Sequence, residues 1–299
     1  MIVTVTLNPS LHVRYDAERV ELGASNRVSR VRHRVGGRGL AVARLLRTFG
    51  HDVVSAGLAG GSAGELIRTE LAKTGVATQF TRISAESRRV VQVTDASGLQ
   101  TSFEEPAPYI TTEELGRLAA DYRALLDGAT AVVLCGSLPA GLPAETYGSL
   151  TRYAVEASVP VVLDAGGDPL RYGVARGPAL VIPDLAATEP ALAPAGDCSV
   201  VLPADGGVRV LTAAGEWLAG VSARHSGSGP LPAAGSRDAA GFRDALVAGF
   251  VPGIALAWSW PDMLRHAVAL AAAVSQDGAP DLGAYEALLP QVTVTGPLT

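Results

Sequence analysis

The chain has 299 residues, of which 48% are hydrophobic and 18% charged, and a formal net charge of −5; this is the profile of a folded globular protein of one large domain or a domain with a small appendage. No block of like charges points to nucleic acid or an anionic membrane as a partner, and no run of 18 or more apolar residues points to a membrane span. Two distant cysteines, Cys135 and Cys198, and five scattered histidines argue against a disulfide framework and a metal site, and fit a cytoplasmic protein with both thiols buried.

MIVTVTLNPS at the start reads as a strand over residues 2 to 7 closed by Asn8-Pro9, and not as a signal peptide. After Gly36-Gly37-Arg38-Gly39 comes LAVARLLRTFG, apolar at helical period with Gly50 as a stop. DVVSAGLAG then reads as a strand and AGELIRTELAKTG as a helix ending at Gly75. TAVVLCGS is a buried strand, AETYGSLTRYAVEA a helix, VPVVLDAGG a strand, and PALVIPD another. Strands alternating with helices of this length predict βαβ crossovers and a mainly parallel sheet covered on both faces.

Two parts break the alternation. Residues 11–35 and 88–104 are polar, β-branched and arginine-rich, and RRVVQVTDASGLQTSFEE predicts a hairpin turning at Asp95-Ala96-Ser97-Gly98. These two segments are expected to form a small half-exposed sheet, a lid or a dimer surface, beside a main domain of residues 1–10, 36–87 and 105–299. Residues 224–240, rich in Gly, Ser, Pro and Ala, are expected to be an irregular loop beside the site. AAGFRDALVAGF follows, and places Asp244 after Gly241-Phe242-Arg243 at the opening of an apolar helix. An acid there reads as a helix N-cap, or as part of a phosphate-binding turn built on orphan backbone amides. Trp258 and Trp260 flank an apolar stretch and read as core.

Seven stretches, in order, resemble the ribokinase-like (PfkB) carbohydrate kinases, and within them the branch of 1-phosphofructokinase and tagatose-6-phosphate kinase. They are TLNPS, LGASNRV, GGRGLAVARLL, ESRRV, CGSLPAGLPAETY, VVLDAGGDPL and RDALVAGF. The resemblance implies a three-layer α/β/α domain with a β-lid that forms a homodimer interface. It implies phosphorylation of a hexose phosphate, such as fructose 1-phosphate, fructose 6-phosphate or tagatose 6-phosphate, by ATP and Mg2+, with catalysis mostly by positioning and electrostatics.

Carried over residue by residue, the resemblance makes Asp244 the catalytic base, with Asp238 a weaker rival, and Gly241, Phe242 and Arg243 the anion hole. Here the family's Gly-Ala-Gly-Asp turn reads Gly241-Phe242-Arg243-Asp244, so its second glycine is gone, and the arginine either occupies the anion site or lies exposed on the helix. On the sugar side it implies Asn26, Arg27, Gly36, Gly37, Arg88 and Ser137 as retained contacts, with Arg38 in place of a lysine. His12 stands where the family has an aspartate for sugar hydroxyls, and Ala41 where it has an asparagine. On the nucleotide side, Asp184 of Ile182-Pro183-Asp184 replaces an asparagine that follows Lys-Pro. Ala187 stands at a magnesium-supporting glutamate, with Glu189 two residues on, and Leu202, Pro203 and Gly206 mark an altered nucleotide loop. Three classes of function follow as expectations: a working phosphosugar kinase, a sugar-phosphate-binding protein with an impaired ATP site, and an interaction scaffold with an occluded pocket.

Overall fold

The structure, a computed structural model, describes residues 1–184, 197–204, 206–221, 239–275 and 278–298. Its centre is a ten-stranded sheet. β1 (Ile2–Thr6), β4 (Val53–Gly60), β5 (Ala77–Ile83), β8 (Ala131–Cys135), β9 (Val161–Asp164), β10 (Leu180–Val181) and β11 (Ser199–Ala204) run parallel. β12 (Gly207–Thr212), β13 (Gly215–Val221) and β14 (Val292–Leu298) extend one edge antiparallel, giving the order β14-β13-β12-β11-β10-β9-β8-β1-β4-β5. Every residue of β1, β8 and β9 is buried, as the apolar runs AVVLC of β8 and VVL of β9 require of parallel strands covered on both faces.

One cover is α1 (Arg38–Thr48), α6 (Ala239–Leu256) and α7 (Trp260–Ala272), joined in a cluster with Leu45, Val133, Val162, Phe250 and Leu264. Trp258 and Trp260 pack half-buried against it. The opposite cover is α3 (Thr112–Leu126), α4 (Thr146–Glu156) and α5 (Gly167–Val174), held through Tyr122, Leu150 and Leu170. α2 (Gly61–Ala72) and the short α8 (Leu282–Leu288) complete the helices named here. The arrangement is the three-layer ribokinase-like fold. Among the described residues no helix is long and apolar enough to cross a membrane.

A second sheet, ordered β3-β2-β6-β7, is built from β2 (Ser10–Ala17), β3 (Val28–Gly36), β6 (Arg88–Thr94) and β7 (Gln100–Glu104). Alternation decides its two faces. Leu11, Val13, Tyr15, Val35 and Val91 pack onto Leu40, Ala63, Ile67 and Leu71, leaving Ser10, His12 and Arg14 on the other face. The β6–β7 hairpin turns at Asp95, whose Oδ1 accepts from the Ser97 and Leu99 amides at 2.9 and 3.0 Å.

Short connections fasten this sheet to the main one. Residues 7–9 join β1 to β2, and Asn8 Nδ2 donates to Ser137 Oγ at 3.2 Å. Residues 84–87 join β5 to β6, where the Ser84 amide donates to Glu114 Oε1 at 2.7 Å. Glu86 accepts from the Ala63 amide at 2.6 Å, and Ser87 Oγ from the Gly60 amide at 3.1 Å.

One expectation from sequence is corrected. The helix expected to open at Asp244 begins at Ala239, which puts Asp244 in its second turn and removes the N-cap reading. Nothing in Ala239-Ala240-Gly241 stops the helix from propagating backward, and alanine is the best helix former. Residues 224–238 of the expected loop, with Asp238, fall outside the described residues, as do Ala187 and Glu189.

Candidate active site

A cavity of about 380 Å³ lies between the small sheet and the carboxyl ends of the central strands, where parallel α/β sheets collect ligands. Each element supplies a short, defined part of it. Thr6 ends β1 and Asn8 follows; Cys135 ends β8, followed by Gly136 and Ser137. α1 contributes Arg38, Ala41 and Arg44, three apart and therefore on one helix face. The small sheet contributes Ser10, His12, Arg14, Arg34, Gly36, Arg88 and Gln92, and α6 contributes Gly241 and Asp244.

Glycine serves this closeness at two positions, and at Gly37 the backbone conformation itself requires it. A Cβ on Gly36 would stand 2.1 Å from His12 Nε2, and Gly37 combines φ 131° with only 2.9 Å to Thr6 Cγ2. Backbone can approach the cavity there only without a side chain.

Asp244 is buried, and its Oδ1 has no hydrogen-bond partner. Burial foremost, and then the Asp164 carboxylate, pushes its pKa up to about 8, against the opposing pull of Arg38, Arg243 and Arg44. At neutral pH its carboxyl is therefore mostly protonated. Burial raises the Cys135 thiol well above its usual range, so it is no nucleophile.

Behind this wall stands a network that the sequence did not announce. Asp164, at the end of β9 and fully buried, accepts from Arg38 Nη2 at 2.9 Å and Arg243 Nε at 2.8 Å, with Arg243 Nη2 closing on the same oxygen. Arg243 also donates to the main-chain oxygens of Pro183 at 2.8 Å and Ile182 at 2.7 Å. Asp184, just past β10, lies 3.6 Å from Arg38 Nη1 and 3.9 Å from Arg243 Nη1. Arg38 Nε in turn is 4.0 Å from Asp244 Oδ1. Arg243 is thus neither exposed nor in the cavity; it fastens α6 to the carboxyl ends of β9 and β10. Asp164 is the site residue that sequence reasoning passed over. Its signal was an acid ending the apolar run VVLD on the ligand side of the sheet.

The remaining expected residues divide. Asp244, Gly241, His12, Gly36, Gly37, Arg38, Ala41, Arg88 and Ser137 come together around the cavity. Asn26 and Arg27 do not: both are exposed in the connection between β2 and β3, where Asn26 bonds the main chain of Glu21 and Ala24. An exposed polar loop had no sequence mark separating surface from site. Of the expected anion hole, Gly241 keeps an orphan amide in the first turn of α6. The Phe242 and Arg243 amides are too deep in the helix to be orphans, and the Phe242 side chain packs against the core. Leu202, Pro203 and Gly206 sit on β11 and the turn to β12, away from the cavity lining. Sequence reasoning also missed Thr6, Asn8, Arg14, Arg34, Arg44 and Gln92, which only the tertiary fold brings together.

Four of the cavity residues hold buried polar atoms with no partner: Thr6 Oγ1, Asn8 Oδ1, Arg88 Nε and Asp244 Oδ1; Asp164 Oδ2 behind them is another. Orphaned buried atoms are costly and rare in folded proteins. Their concentration here is the mark of a site that a polar ligand completes.

Residues 10–186 match the pfkB family carbohydrate kinases, which is more than half of the chain. The fold is similar to a putative phosphofructokinase from Staphylococcus aureus, with TM-score 0.82 and 22% identity over 99% of this chain and 98% of that one. It is similar to a possible 1-phosphofructokinase from Thermotoga maritima, with TM-score 0.79 and 24% identity over 98% of both chains. It is also similar to phosphofructokinase-2 from Escherichia coli in complex with fructose-6-phosphate, with TM-score 0.77 and 22% identity over 97% of this chain and 98% of that one. At such identities the structural likeness speaks for the fold, and the family match carries the assignment: this chain belongs to the pfkB family of carbohydrate kinases.

Proposed function

We propose that the cavity binds a phosphorylated hexose, such as fructose 1-phosphate or fructose 6-phosphate, and that phosphoryl transfer to it from ATP is weak or absent. The observation that carries this reading is the Arg243 guanidinium, bonded to Asp164 and to the Ile182 and Pro183 oxygens. It is anchored at the carboxyl ends of β9 and β10, and it is not among the residues that line the cavity.

The family implies ATP and Mg2+, and the described residues offer a metal ion few free ligands. A magnesium ion wants oxygen ligands, and the carboxylates of Asp164 and Asp184 each face guanidinium groups. Among the described residues no group of three or more His, Cys, Asp or Glu is placed to hold a metal ion. The chain's own groups can still bind and orient a sugar. Arg88 Nε and Asn8 Oδ1 offer a buried donor and acceptor. Asp244, protonated at neutral pH, donates to a ligand hydroxyl, where a general base would have to be ionised.

A working kinase is the second reading. It is favoured by one observation, the Asp244 carboxyl lining the cavity with Oδ1 unengaged. The family resemblance adds a homodimer through the small sheet, whose edge strands β3 and β7 expose Val31 and Phe103.

Calorimetric titration of MgATP into the protein, with and without each hexose phosphate, separates the readings. Sugar-phosphate binding without ATP binding or turnover is the expected result. Micromolar ATP affinity together with turnover would replace it with the kinase.

A further inference from the structure

Tyr147, on α4, is fully buried and stands outside the cavity lining. A buried tyrosine hydroxyl needs a partner, and this one donates to the Gly136 oxygen at 3.0 Å. Burial foremost, then the neighbouring Cys135 and Asp164, push its pKa well above the ordinary range, so it keeps that proton.

Gly136 is the first residue past β8, and its φ of 94° lies in the left-handed region that favours glycine. Its amide donates to the Asp164 main-chain oxygen at 3.1 Å. Both polar main-chain groups of Gly136 are thus held, one by β9 and the other by α4, just where the chain turns into the cavity wall.

Ser137 comes next, and its Oγ accepts from Asn8 Nδ2 at 3.2 Å. Pro9 biases the Asn8 backbone toward extended conformations, so the bond to Ser137 is what turns the side chain. The Asn8 amide uses its donor side on Ser137, and its acceptor, Oδ1, is buried with no partner. Asn8 and Ser137 both line the cavity. An unpartnered carbonyl oxygen is satisfied by a hydroxyl proton and repelled by the oxygens of a phosphate.

We propose that Asn8 is a specificity-determining residue that accepts a hydrogen bond from one sugar hydroxyl. Tyr147 and Ser137 are positioning residues that aim it, Tyr147 through the Gly136 carbonyl and Ser137 through the Asn8 amide. This rests on the ligand-binding reading above and adds the group that reads the configuration of the sugar. A site built to bond a hydroxyl rejects an analogue that cannot supply it, because the buried acceptor is then left unpaired.

The test is calorimetry without nucleotide. The probes are the 1- and 6-phosphates of fructose, tagatose, psicose and sorbose, the last three differing from fructose in configuration at a single carbon each. The wild type is expected to bind one of these sugars about tenfold more tightly than another with the same phosphate, a step of about 1.4 kcal/mol. Asn8→Leu, Ser137→Ala and Tyr147→Phe are each expected to shrink that ratio toward one, with circular dichroism confirming that each variant is folded. A change that merely loosened the fold would weaken all the ligands alike and leave the ratio standing. Tyr147→Phe added to Asn8→Leu is expected to lower the ratio no further, because both act through one hydrogen bond. No discrimination by the wild type, or a ratio kept in Asn8→Leu or in Tyr147→Phe, would overturn the inference and leave the ligand-binding reading standing. Binding of none of the probes would overturn both.

Discussion

Arg243 and Asp164, 79 positions apart in sequence, share a buried ion pair in which Arg243 Nε donates to Asp164 Oδ1 over 2.8 Å. The acid is fully buried and the arginine side chain is 19% exposed. A carboxylate so far from water is held by its cations alone.

Replacing Arg243 by alanine is therefore expected to destabilise the protein by about 3 kcal/mol, at the low end for a broken buried pair because Arg38 remains. Urea unfolding of wild type and variant measures it. The same variant opens the ends of β9 and β10, and a gain of MgATP affinity is expected in calorimetry. Unchanged stability would mean that the pair does not form in solution.

Asp244 sets a pH dependence. Its folded pKa of about 8 lies above the unfolded value of about 3.9. The folded state thus keeps a proton that the unfolded state releases over this interval. Stability from this group is largest below about pH 4 and declines as pH rises toward 8, by no more than about 1.4 kcal/mol per pH unit. Asp244→Asn removes that slope. Urea unfolding at pH 5, 6, 7 and 8 should show wild type losing stability relative to the variant as pH rises; parallel curves would contradict the raised pKa.

Gly249 lets α6 lie against α7. A Cβ there would stand 2.4 Å from Ala267 Cα, which is backbone and cannot rotate away. Gly249→Ala gains about 1 kcal/mol in helix propensity, and overpacking costs about 1–3 kcal/mol. A net loss is expected, read as a lower urea midpoint. Weaker sugar-phosphate binding should accompany it, because α6 carries Asp244.

The proposed dimer has a direct check. Val31 is 52% exposed and Phe103 60% exposed, on opposite edge strands of the small sheet. Sedimentation is expected to give a dimer for the wild type and a monomer for Val31→Glu combined with Phe103→Ser. A monomeric wild type would remove the small sheet from consideration as an interface.

Much of this architecture could be read in the chain. Unbroken apolar runs such as VVL and AVVLC fixed the buried parallel strands, and alternation around His12 and Arg14 marked the separate sheet. Gly36-Gly37 and Asp244 were legible because tight backbone turns and lone acids in apolar stretches are local signals. What escaped was non-local. Asp164 gains its meaning from Arg38 and Arg243, residues 126 and 79 positions away. The start of α6 was misplaced because Asp244 read as a cap, while the two alanines before Gly241 carried the helix back past it. Asn26 and Arg27 share residue types with a binding site but lie on a solvent loop.

The way the small sheet is fastened has a kinetic meaning. Four connections join it to the main domain, residues 7–9, 37, 84–87 and 105–111; the first and third are pinned through Asn8, Glu86, Ser87 and Glu114, and the last by the Ile110 amide, which donates to the Ala140 oxygen at 2.8 Å. Pro9 further restricts the first link. A hinge so braced has little freedom left to freeze when a ligand arrives, so capture is expected to proceed in a single phase, its rate rising linearly with ligand concentration and free of a slow closing step.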